Sequence, residues 1–480
     1  MISSKQIYKI SMNEKRIEHD FLGELEVPAD AYWGIHTQRA VQNFPISGYK
    51  VNSSLIKALA LVKKACCLAN AELEFLGKDK ARAIISACEE VAADGFSDQF
   101  PVDALQGGAG TSTNMNMNEV IANRAIEILG GKKGDYHLVH PLADVNLHQS
   151  TNDTYPTAVK IAAIYGLRRL SQIISKLQGT FQEKEKSFGQ IVKMGRTELQ
   201  EAVPMTMGAE FAAFAEAISR DRWRTFKGEE RLRVVNLGGT AIGTGIAAPR
   251  DYIFLVIEKL REVTGMGLAR ADILTGETAN ADSFIEVSGV LKAHASNLIK
   301  ISGDLRLLNF IGEIHLPHLQ AGSSIMPGKV NPVLMEAAIQ TGIKVSANDL
   351  IVSDAVSRGT LQISEFFPLI AHAFLQSIDL LVNIDTLLAA HISQITADEN
   401  VCRYYFDRSP MIVTALLPFI GYDKSAALLT EYEKLFKHNA AAKKSIREFL
   451  EEKLGKNIIK KAFSPYQLTA LGYRNNGTDS

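Results

Sequence analysis

The chain has 480 residues, with 52 lysines and arginines against 53 aspartates and glutamates, and a formal net charge of −1. This balance gives no electrostatic attraction to nucleic acid or to an anionic membrane surface, so neither is predicted as a partner. Because single hydrophobic cores stop growing at roughly 250–300 residues, we expect several domains or a core completed by oligomerisation.

Cysteine usage and the absence of targeting signals indicate the compartment. The four cysteines, Cys66, Cys67, Cys88 and Cys402, form no C-x-x-C pair and are typical of small buried side chains in a reducing environment. Residues 1–20 are polar and lack the apolar core of a signal peptide. No uninterrupted apolar run reaches the roughly 18–20 residues of a membrane helix, and a cytoplasmic protein is therefore predicted.

The first part of the chain alternates between irregular and helical patterns. Residues 1–50 contain scattered prolines and glycines and are predicted to be irregular. Apolar residues recur at helical spacing over 54–76 and 80–93. The Gly-, Thr- and Asn-rich segment 101–118 is predicted to be a loop that leads into a helix over 118–129.

Long helical patterns dominate the middle of the chain. They cover residues 155–187, 204–235, 283–310, 333–355 and 368–393. In the last of these, apolar residues occupy much of the circumference, which is typical of a helix buried on several sides. Five such helices indicate a bundle core with packing between subunits, whereas the shorter helices predicted after Glu399 indicate a small further domain.

Two polar clusters precede predicted helices. Residues 107–112 (GGAGTS) combine glycines, which let backbone amides approach an anion, with hydroxyl donors. They do not match the G-x-G-x-x-G pattern of dinucleotide-binding loops, because the glycine spacing departs from it after Gly110. Residues 149–153 (QSTND) place two hydroxyls and an amide at the start of a helix, where free amides and the helix dipole suit a carboxylate ligand. Both clusters are equally compatible with simple helix caps.

Two further clusters lie later in the chain. Residues 195–200 (GRTELQ) are followed by Pro204, which is predicted to lie in the first turn of the next helix. Residues 322–332 (GSSIMPGKVNP) must form a loop, but Val330 stands where a P-loop needs Ser or Thr after the lysine. We interpret this loop as a mobile lid that clamps an anionic substrate.

Metal and hydrolase chemistry find little support in the sequence. His315 and His318 are three residues apart, but Pro317 between them argues against a shared helical face, and no metal site is predicted. No segment resembles the nucleophile elbow of a serine hydrolase.

The four polar clusters, in this order, resemble the aspartase/fumarase superfamily, whose signature loop is similar to residues 322–332. The resemblance runs from Arg16 to about Gly421 and includes residues 27–34 (VPADAYWG) and 236–245 (NLGGTAIGTG). Within the superfamily the sequence is most similar to the ammonia-lyases that act on aspartate. Fumarases usually have serine, histidine and threonine where this chain has Thr151, Glu198 and Val333.

The resemblance implies an architecture. It is mainly α, with an N-terminal domain over 1–149, a central helical-bundle domain over 150–398 and a small C-terminal helical domain over 399–480. The central domains of a homotetramer would form a bundle of 20 helices. Each active site would draw residues from three different subunits, and no cofactor would be needed.

The resemblance also assigns roles in the deamination of L-aspartate to fumarate and ammonia. Ser323 is expected to be the catalytic base that removes a proton from carbon β and generates an aci-carboxylate, which hydrogen-bond donors stabilise. The expected substrate contacts are Thr111, Ser150, Thr151 and Ser324 at the carboxylate next to the carbanion, Lys329, Asn331 and Thr197 at the other carboxylate, and Asn152 at the ammonium group.

The sequence departs from the family pattern at several positions. Glu198 stands where many relatives have histidine, and Glu336 matches the carboxylate that partners this histidine. Two adjacent carboxylates cannot both ionise at low cost, so we expect one of them to hold a proton. Our hypothesis is that Glu198 contacts the substrate ammonium, with a buried structural glutamate as the alternative. Segments 308–313 and 359–368 also differ, and Phe367 replaces the usual glutamate.

Alternative functions remain open at this point. A fumarate hydratase is the nearest enzymatic alternative. A lyase for bulkier succinyl adducts is disfavoured by the sequence of the signature loop. A degenerate lyase with a structural or partner-binding role is the non-enzymatic alternative.

Overall fold

A computed structural model describes residues 14–436, 444–470 and 472. The sequence predictions for residues 1–13 therefore lie outside the described residues. Within the described ranges, helices dominate, and the strands are short and form two-stranded sheets. The predicted mainly α fold is confirmed.

The helices are α1 (Ile35–Asn43), α2 (Ser53–Glu72), α3 (Lys78–Ala92), α4 (Thr111–Ile128), α5 (Thr151–Ser187), α6 (Met207–Leu232), α7 (Arg250–Thr264), α8 (Leu274–Ala279), α9 (Asp282–Phe310), α10 (Val333–Ser357), α11 (Phe367–Ile392), α12 (Glu399–Arg408), α13 (Leu417–Ile420), α14 (Tyr422–Phe436), α15 (Ile446–Leu454), α16 (Lys456–Ala462) and α17 (Pro465–Thr469). The strands are β1 (Lys15–Asp20), β2 (Gly23–Pro28), β3 (Val192–Thr197), β4 (Gln200–Thr206), β5 (Val234–Val235), β6 (Ala269–Arg270), β7 (Ile314–His315) and β8 (Thr396–Ala397). β1–β2, β3–β4 and β7–β8 pair antiparallel, and β5–β6 pair parallel.

The five long helices predicted from apolar spacing are present as α5, α6, α9, α10 and α11, with ends within a few residues of the predicted ones. The two earlier helices, α2 and α3, are also confirmed. Long amphipathic patterns are the most dependable sequence signal, because many residues contribute to one periodicity.

The prediction of a loop over 101–118 was wrong in its second half, because α4 begins at Thr111. Gly110 takes a left-handed conformation with φ of 95° and starts the helix. The following asparagines favour turns in isolation. Here Asn114, Asn116 and Asn118 are buried and hydrogen-bonded inside the fold, which overrides that local preference.

The prediction that residues 1–50 are irregular was also wrong, because β1, β2 and α1 lie within them. The N-terminus of α1 is fixed by a distant carboxylate, that of the buried Glu119. It accepts hydrogen bonds from the amides of Gly34, His36 and Thr37 at 2.8, 2.8 and 3.2 Å. A partner so remote in sequence leaves no local signal in the first 50 residues.

Pro204 does not lie in the first turn of a helix, as predicted, but in β4, and α6 begins three residues later at Met207. Pro204 is opposite Met194, next to a register shift between Met194 and Arg196. An irregular site in a two-stranded sheet accommodates a residue that lacks an amide hydrogen.

The chain divides into two compact units, and the division points fall within α5, α6, α9, α10 and α11. The first unit comprises the chain up to residue 170 with 224–293 and 344–381, and the second comprises 171–223, 294–343 and the chain from 382 onward. A cluster of buried apolar side chains, including Phe406, Leu416 and Phe449, forms a core in the second unit. The three-domain division remains a prediction.

One helix among the described residues, α11, is long and apolar enough to cross a membrane by length and composition alone. Two acidic residues, Asp379 and Asp385, interrupt its apolar sequence. In the fold, 67% of its most apolar window is buried. A helix in the core of a protein is surrounded by other apolar side chains, and it can therefore have the same apolar composition as a membrane helix.

Candidate active site

The N-terminus of α5 presents three of the predicted substrate-binding residues, Ser150, Thr151 and Asn152. Ser150 precedes the helix, and its Oγ accepts a hydrogen bond from the Asn152 amide at 3.2 Å. In return, the Ser150 amide donates to the carboxylate of Asp153 at 3.0 Å. This reciprocal cap fixes the first turn of α5, so that its hydroxyls and amide occupy defined positions.

Asp153 joins this turn to the glycine-rich segment 236–245. Its buried carboxylate accepts hydrogen bonds from the amides of Gly238 and Thr240, at 3.2 and 3.0 Å, in addition to that from Ser150. Burial raises the pKa of Asp153 to about 7, against the opposing effect of these donors. The residue therefore anchors the site.

A proline inside α5 strengthens the same connection. Pro156 lies within the helix and has no amide hydrogen to donate to the carbonyl of Asn152, four residues earlier. This carbonyl instead accepts a hydrogen bond of 2.9 Å from the side chain of the buried Asn236. The Asn152 side chain donates to the carbonyl of Ala241 at 2.7 Å. Segment 236–245 is thus bound to both the backbone and the side chain of Asn152.

The first turn of α4 is tied to that of α5 through Asn114. The Asn114 side-chain amide lies 3.1 Å from Thr151 Oγ1 and 3.2 Å from Asn146 Oδ1. Thr111, the first residue of α4, is exposed. The structure therefore brings together the elements that carry Thr111, Ser150, Thr151 and Asn152.

A buried lysine underlies this group. Lys63, on α2, is fully buried, and its Nζ donates to Asn146 Oδ1 at 2.8 Å and to Gln149 Oε1 at 2.9 Å. Burial lowers the pKa of Lys63 to about 8. Lys63 thus holds both ends of the 146–149 turn. Because Asn146 also accepts a hydrogen bond from Asn114, Lys63 is connected through this turn to the first turn of α4.

The signature loop, residues 322–332, is closed at its base and exposed at its tip. The Gly322 amide donates to the Lys329 carbonyl at 2.7 Å, and the Asn331 side chain donates to the Gly322 carbonyl at 3.0 Å. Within the loop, Ser323 Oγ accepts hydrogen bonds from the amides of Ile325 and Met326 at 3.1 and 3.0 Å. Donors to this oxygen favour its ionised form. Ser324 and Lys329 are exposed.

Thr197 and Glu198 lie at the end of the β3–β4 hairpin, and both are exposed. Glu198 and Leu199 form the turn and have left-handed backbones with φ of 52° and 61°. Two-residue hairpin turns require this geometry, but they normally use glycine or asparagine for it. Strain of this kind is often concentrated at functional sites.

Two residues of β3, Lys193 and Arg196, form a buried ion cluster with Glu313. The carboxylate of Glu313 is completely buried and lies 2.9 Å from Lys193 Nζ and 2.7 Å from Arg196 Nη1. Lys193 also pairs with Glu210. Glu313 belongs to the segment predicted to depart from the family pattern, and its burial between two cations gives this short segment a structural role.

The second departing segment contains Phe367, the first residue of α11. Its ring is buried and lies 5.7 Å from that of Phe284 and 6.5 Å from that of Tyr155, edge to face in both cases. Phe284 in turn lies 5.3 Å from Phe374. The aromatic side chain that replaces a glutamate therefore contributes to the apolar core of the first unit.

The predicted residues fall into two groups. Thr111, Ser150, Thr151 and Asn152 belong to the first unit, and Thr197, Glu198, Ser323, Ser324, Lys329, Asn331 and Glu336 belong to the second. Among the described residues, no hydrogen bond joins Glu198 to Glu336, and Glu336 lies 3.7 Å from Arg306 instead. The shared proton between the two glutamates stays a prediction.

The sequence analysis assigned no role to the residues that support the site, namely Lys63, Asn114, Asn146, Asp153 and Asn236, although Asp153 and Asn236 lie in segments that it singled out. One signal was available, since Lys63 and Lys64 interrupt the apolar residues of α2 and a buried lysine requires polar partners. The polar residues that bind Lys63, namely Asn146 and Gln149, lie far from it in sequence, and nothing in their local sequence predicts this contact. Among the residues that the structure describes, no group of three or more His, Cys, Asp or Glu side chains is placed to hold a metal ion.

The sequence matches known proteins over most of its length. A family model described as "Lyase" matches residues 23–347. An aspartate ammonia-lyase from Corynebacterium glutamicum is 44% identical over 447 residues, which are 91% of this chain and 84% of the relative. An aspartate ammonia-lyase from Helicobacter pylori is 45% identical over 93% of this chain and 95% of the relative. One from Escherichia coli is 46% identical over 85% and 88%.

Solved structures match the fold. A structure described as a fumarate lyase:delta crystallin from Brucella melitensis bound to cobalt has a TM-score of 0.90 and 41% identity, covering 95% of this chain and 100% of that chain. A recombinant class II fumarase from Schistosoma mansoni has a TM-score of 0.87 and 29% identity, covering 95% and 99%. The architecture is thus shared along nearly the whole chain.

Proposed function

Because the chain belongs to the aspartase/fumarase superfamily of lyases, we propose that it is a carbon–nitrogen lyase that converts L-aspartate to fumarate and ammonia, reversibly. The observation that carries this proposal is the 41–46% identity to several curated aspartate ammonia-lyases over most of the chain. The class II fumarase structure shares a lower identity of 29%.

The chemical difficulty of this reaction is the removal of a proton from a carbon next to a carboxylate. The intermediate carries two negative charges on that carboxylate, so catalysis requires donors that are already in position. Ser150, Thr151 and Thr111 would supply such donors from the first turns of α5 and α4, together with Ser324 from the signature loop. The reciprocal cap at Ser150 and the link from Thr151 to Asn114 support this role, because they hold the donors in place.

Ser323 is the base in this proposal. A serine hydroxyl is a weak base in water, and it becomes effective only when its ionised form is stabilised. Two backbone amides already donate to Ser323 Oγ, and Lys329 lies in the same loop. Closure of the exposed loop tip over the substrate would exclude water, so that ammonia adds to fumarate in the reverse direction.

The remaining residues bind the other end of the substrate. Lys329 and Asn331, with Thr197, would hold the second carboxylate, and Asn152 would contact the ammonium group. Glu198 would also approach the ammonium and disfavour an uncharged leaving group such as the hydroxyl of malate. Its exposed position on a strained turn supports a functional rather than a buried structural role.

We also propose that the active unit is a homotetramer in which each site is completed by three subunits. Large apolar side chains are exposed along the long helices of the single chain, including Trp223, Phe226, Ile343 and Leu350. Exposed apolar area of this extent is characteristic of protein interfaces. The four cysteines are free and buried, which supports a reducing compartment such as the cytoplasm.

The experiment that tests the proposal follows fumarate absorbance in the ultraviolet with L-aspartate or L-malate as substrate. Fumarate is expected from aspartate alone, with release of ammonia. Ser323→Ala should reduce kcat by about 10³-fold or more, because the base is lost. Ser393→Ala, at an exposed serine elsewhere, is the matched control and should leave kcat unchanged.

Other outcomes would assign a different function. Fumarate from malate would make the protein a fumarate hydratase, which the class II fumarase similarity makes the second candidate. Absence of turnover with both substrates would favour a degenerate lyase with a binding or structural role.

A further inference from the structure

A fully buried cluster of ionisable side chains lies outside the proposed active site. His294 on α9 contacts Asp221 on α6 and Asp385 on α11, and all three side chains have no exposed surface. The two ring nitrogens of His294 lie 3.0 Å from Asp221 Oδ2 and 2.7 Å from Asp385 Oδ2, respectively. All three residues belong to the second unit, so three different long helices are joined there through one imidazole ring.

This geometry links the charge of the ring to that of the two carboxylates. A neutral histidine has one N–H group, whereas an imidazolium has two. When both carboxylates are ionised they can only accept hydrogen bonds, so a ring that bonds one of them at each nitrogen must then donate twice. Asp221 is further fixed as an acceptor, because the Asn297 amide donates to its two oxygens at 3.0 and 2.8 Å.

We infer that His294, Asp221 and Asp385 form an internal ionic lock between α6, α9 and α11 that holds only while His294 is protonated. Loss of that proton would leave two buried carboxylates with a single N–H donor between them. Unpaired buried charge is among the most destabilising changes that a protein core can undergo. The fold of the second unit therefore has a built-in upper limit of pH.

Other charged groups around His294 do not replace this arrangement. Asp221 faces it from α6 and Asp385 from α11, and on its own helix Asn297 provides a neutral amide. α10 approaches α9 closely at Gly342, where an added Cβ atom would lie 2.9 Å from the Ala295 carbonyl oxygen. On α9 itself, Lys292 pairs with Asp349 at 3.0 Å.

The environment of Asp385 indicates how strongly this carboxylate depends on the proton of His294. Its second oxygen, Oδ1, is buried and has no hydrogen-bond partner among the described residues. The carboxylate therefore depends on the His294 imidazolium, which bonds its other oxygen. Replacing either residue alone should be costly, since the other is left unpaired.

The pH range follows from linkage between protonation and folding. Burial lowers the pKa of His294, but Asp385 and Asp221 outweigh this effect and raise it from 6.5 to about 10. Below pH 6.5 both the folded and the unfolded chain bind the proton, and the contribution of the lock is complete. As the pH rises from 6.5 through about 10, only the folded chain holds the proton, so its stability falls.

The test compares the pH dependence of unfolding in the full-length protein and in variants, at one fixed protein concentration. For the original protein, the unfolding equilibrium constant should rise by up to about tenfold per pH unit above about pH 7 through His294. His294→Gln should unfold more readily at neutral pH and should lack this part of the slope. Groups outside this cluster titrate equally in both proteins, so the difference between the two slopes reports on His294 together with Asp221 and Asp385.

A second variant and a matched control keep the inference testable if His294→Gln fails to fold. Asp385→Asn removes one of the two charges that raise the pKa of His294 but keeps a hydrogen-bond acceptor. The loss of stability should therefore still begin near pH 6.5, but it should be smaller and should end at a lower pH than in the original protein. His391→Asn is the control, because His391 is a buried histidine on α11 whose ring nitrogens have no hydrogen-bond partner among the described residues. It should leave the slope unchanged. Slopes in His294→Gln and Asp385→Asn equal to that of the original protein would overturn the inference.

Discussion

At the scale of single residues, Glu198 combines two features that are common at functional sites, namely an exposed carboxylate and a left-handed backbone. Its carboxylate is exposed at the tip of a hairpin, and its backbone is left-handed with φ of 52°. Because Glu198 stands where many relatives have histidine, our hypothesis is that this side chain faces the leaving group. A carboxylate would favour an ammonium over a hydroxyl through a charge-assisted hydrogen bond.

We expect Glu198→Gln to lower kcat/KM for L-aspartate by about 10- to 100-fold, which corresponds to the loss of one charge-assisted hydrogen bond of about 1.5–3 kcal/mol. The preference for aspartate over malate should decrease in the same variant. Steady-state kinetics with both substrates measures the effect. Glu201→Gln, on the same hairpin, is the control and should be neutral. If Glu198→Gln leaves turnover of both substrates unchanged, Glu198 has no part in selectivity.

At the scale of secondary-structure elements, the turn of the β3–β4 hairpin consists of two residues, Glu198 and Leu199. Both have left-handed backbones, a conformation that is unfavourable for residues with a side chain. Leu199 is 72% exposed and has φ of 61°, so that its side chain gains little from packing. Glycine adopts this backbone without steric cost.

Leu199→Gly is therefore expected to raise the free energy of unfolding by about 0.5–1 kcal/mol. Urea denaturation measures the change. Gln200→Gly, one residue later on β4, should have the opposite effect, because glycine weakens a strand. A destabilised Leu199→Gly variant would mean that the leucine side chain makes contacts in the assembled protein.

At the scale of the whole molecule, the two groups of predicted site residues belong to different compact units of the chain. The proposal that subunits share each active site makes a prediction that does not depend on the details of any one contact. Two inactive variants should complement each other when the altered residues are contributed by different subunits.

Mixed tetramers of Ser323→Ala and Thr111→Val subunits should therefore regain activity, at roughly a quarter of the sites for random mixing. The matched control combines Ser323→Ala with Ser324→Ala, because these residues lie in one loop and come from one subunit. Fumarate production after co-refolding is the measurement, with the mass of the assembly determined by light scattering. Equal absence of activity in both mixtures would contradict shared sites.

The long helices and the signature loop could be predicted from the sequence by itself. Periodic apolar residues specified α5, α6, α9, α10 and α11 because each involves many residues of one local pattern. Residues 322–332 were recognisable because glycine, proline and a lysine in that order restrict the backbone and carry chemistry locally.

Only the tertiary structure decided where short-range preferences are overruled. The position of α1 depends on a partner far away in sequence, Glu119, which accepts hydrogen bonds from its first amides. The start of α4 is likewise tied through Asn114 to Thr151. The same holds for buried charge. Lys63 and His294 acquire partners and altered pKa values only when separate elements of the fold meet, because desolvation and pairing are properties of the packed interior.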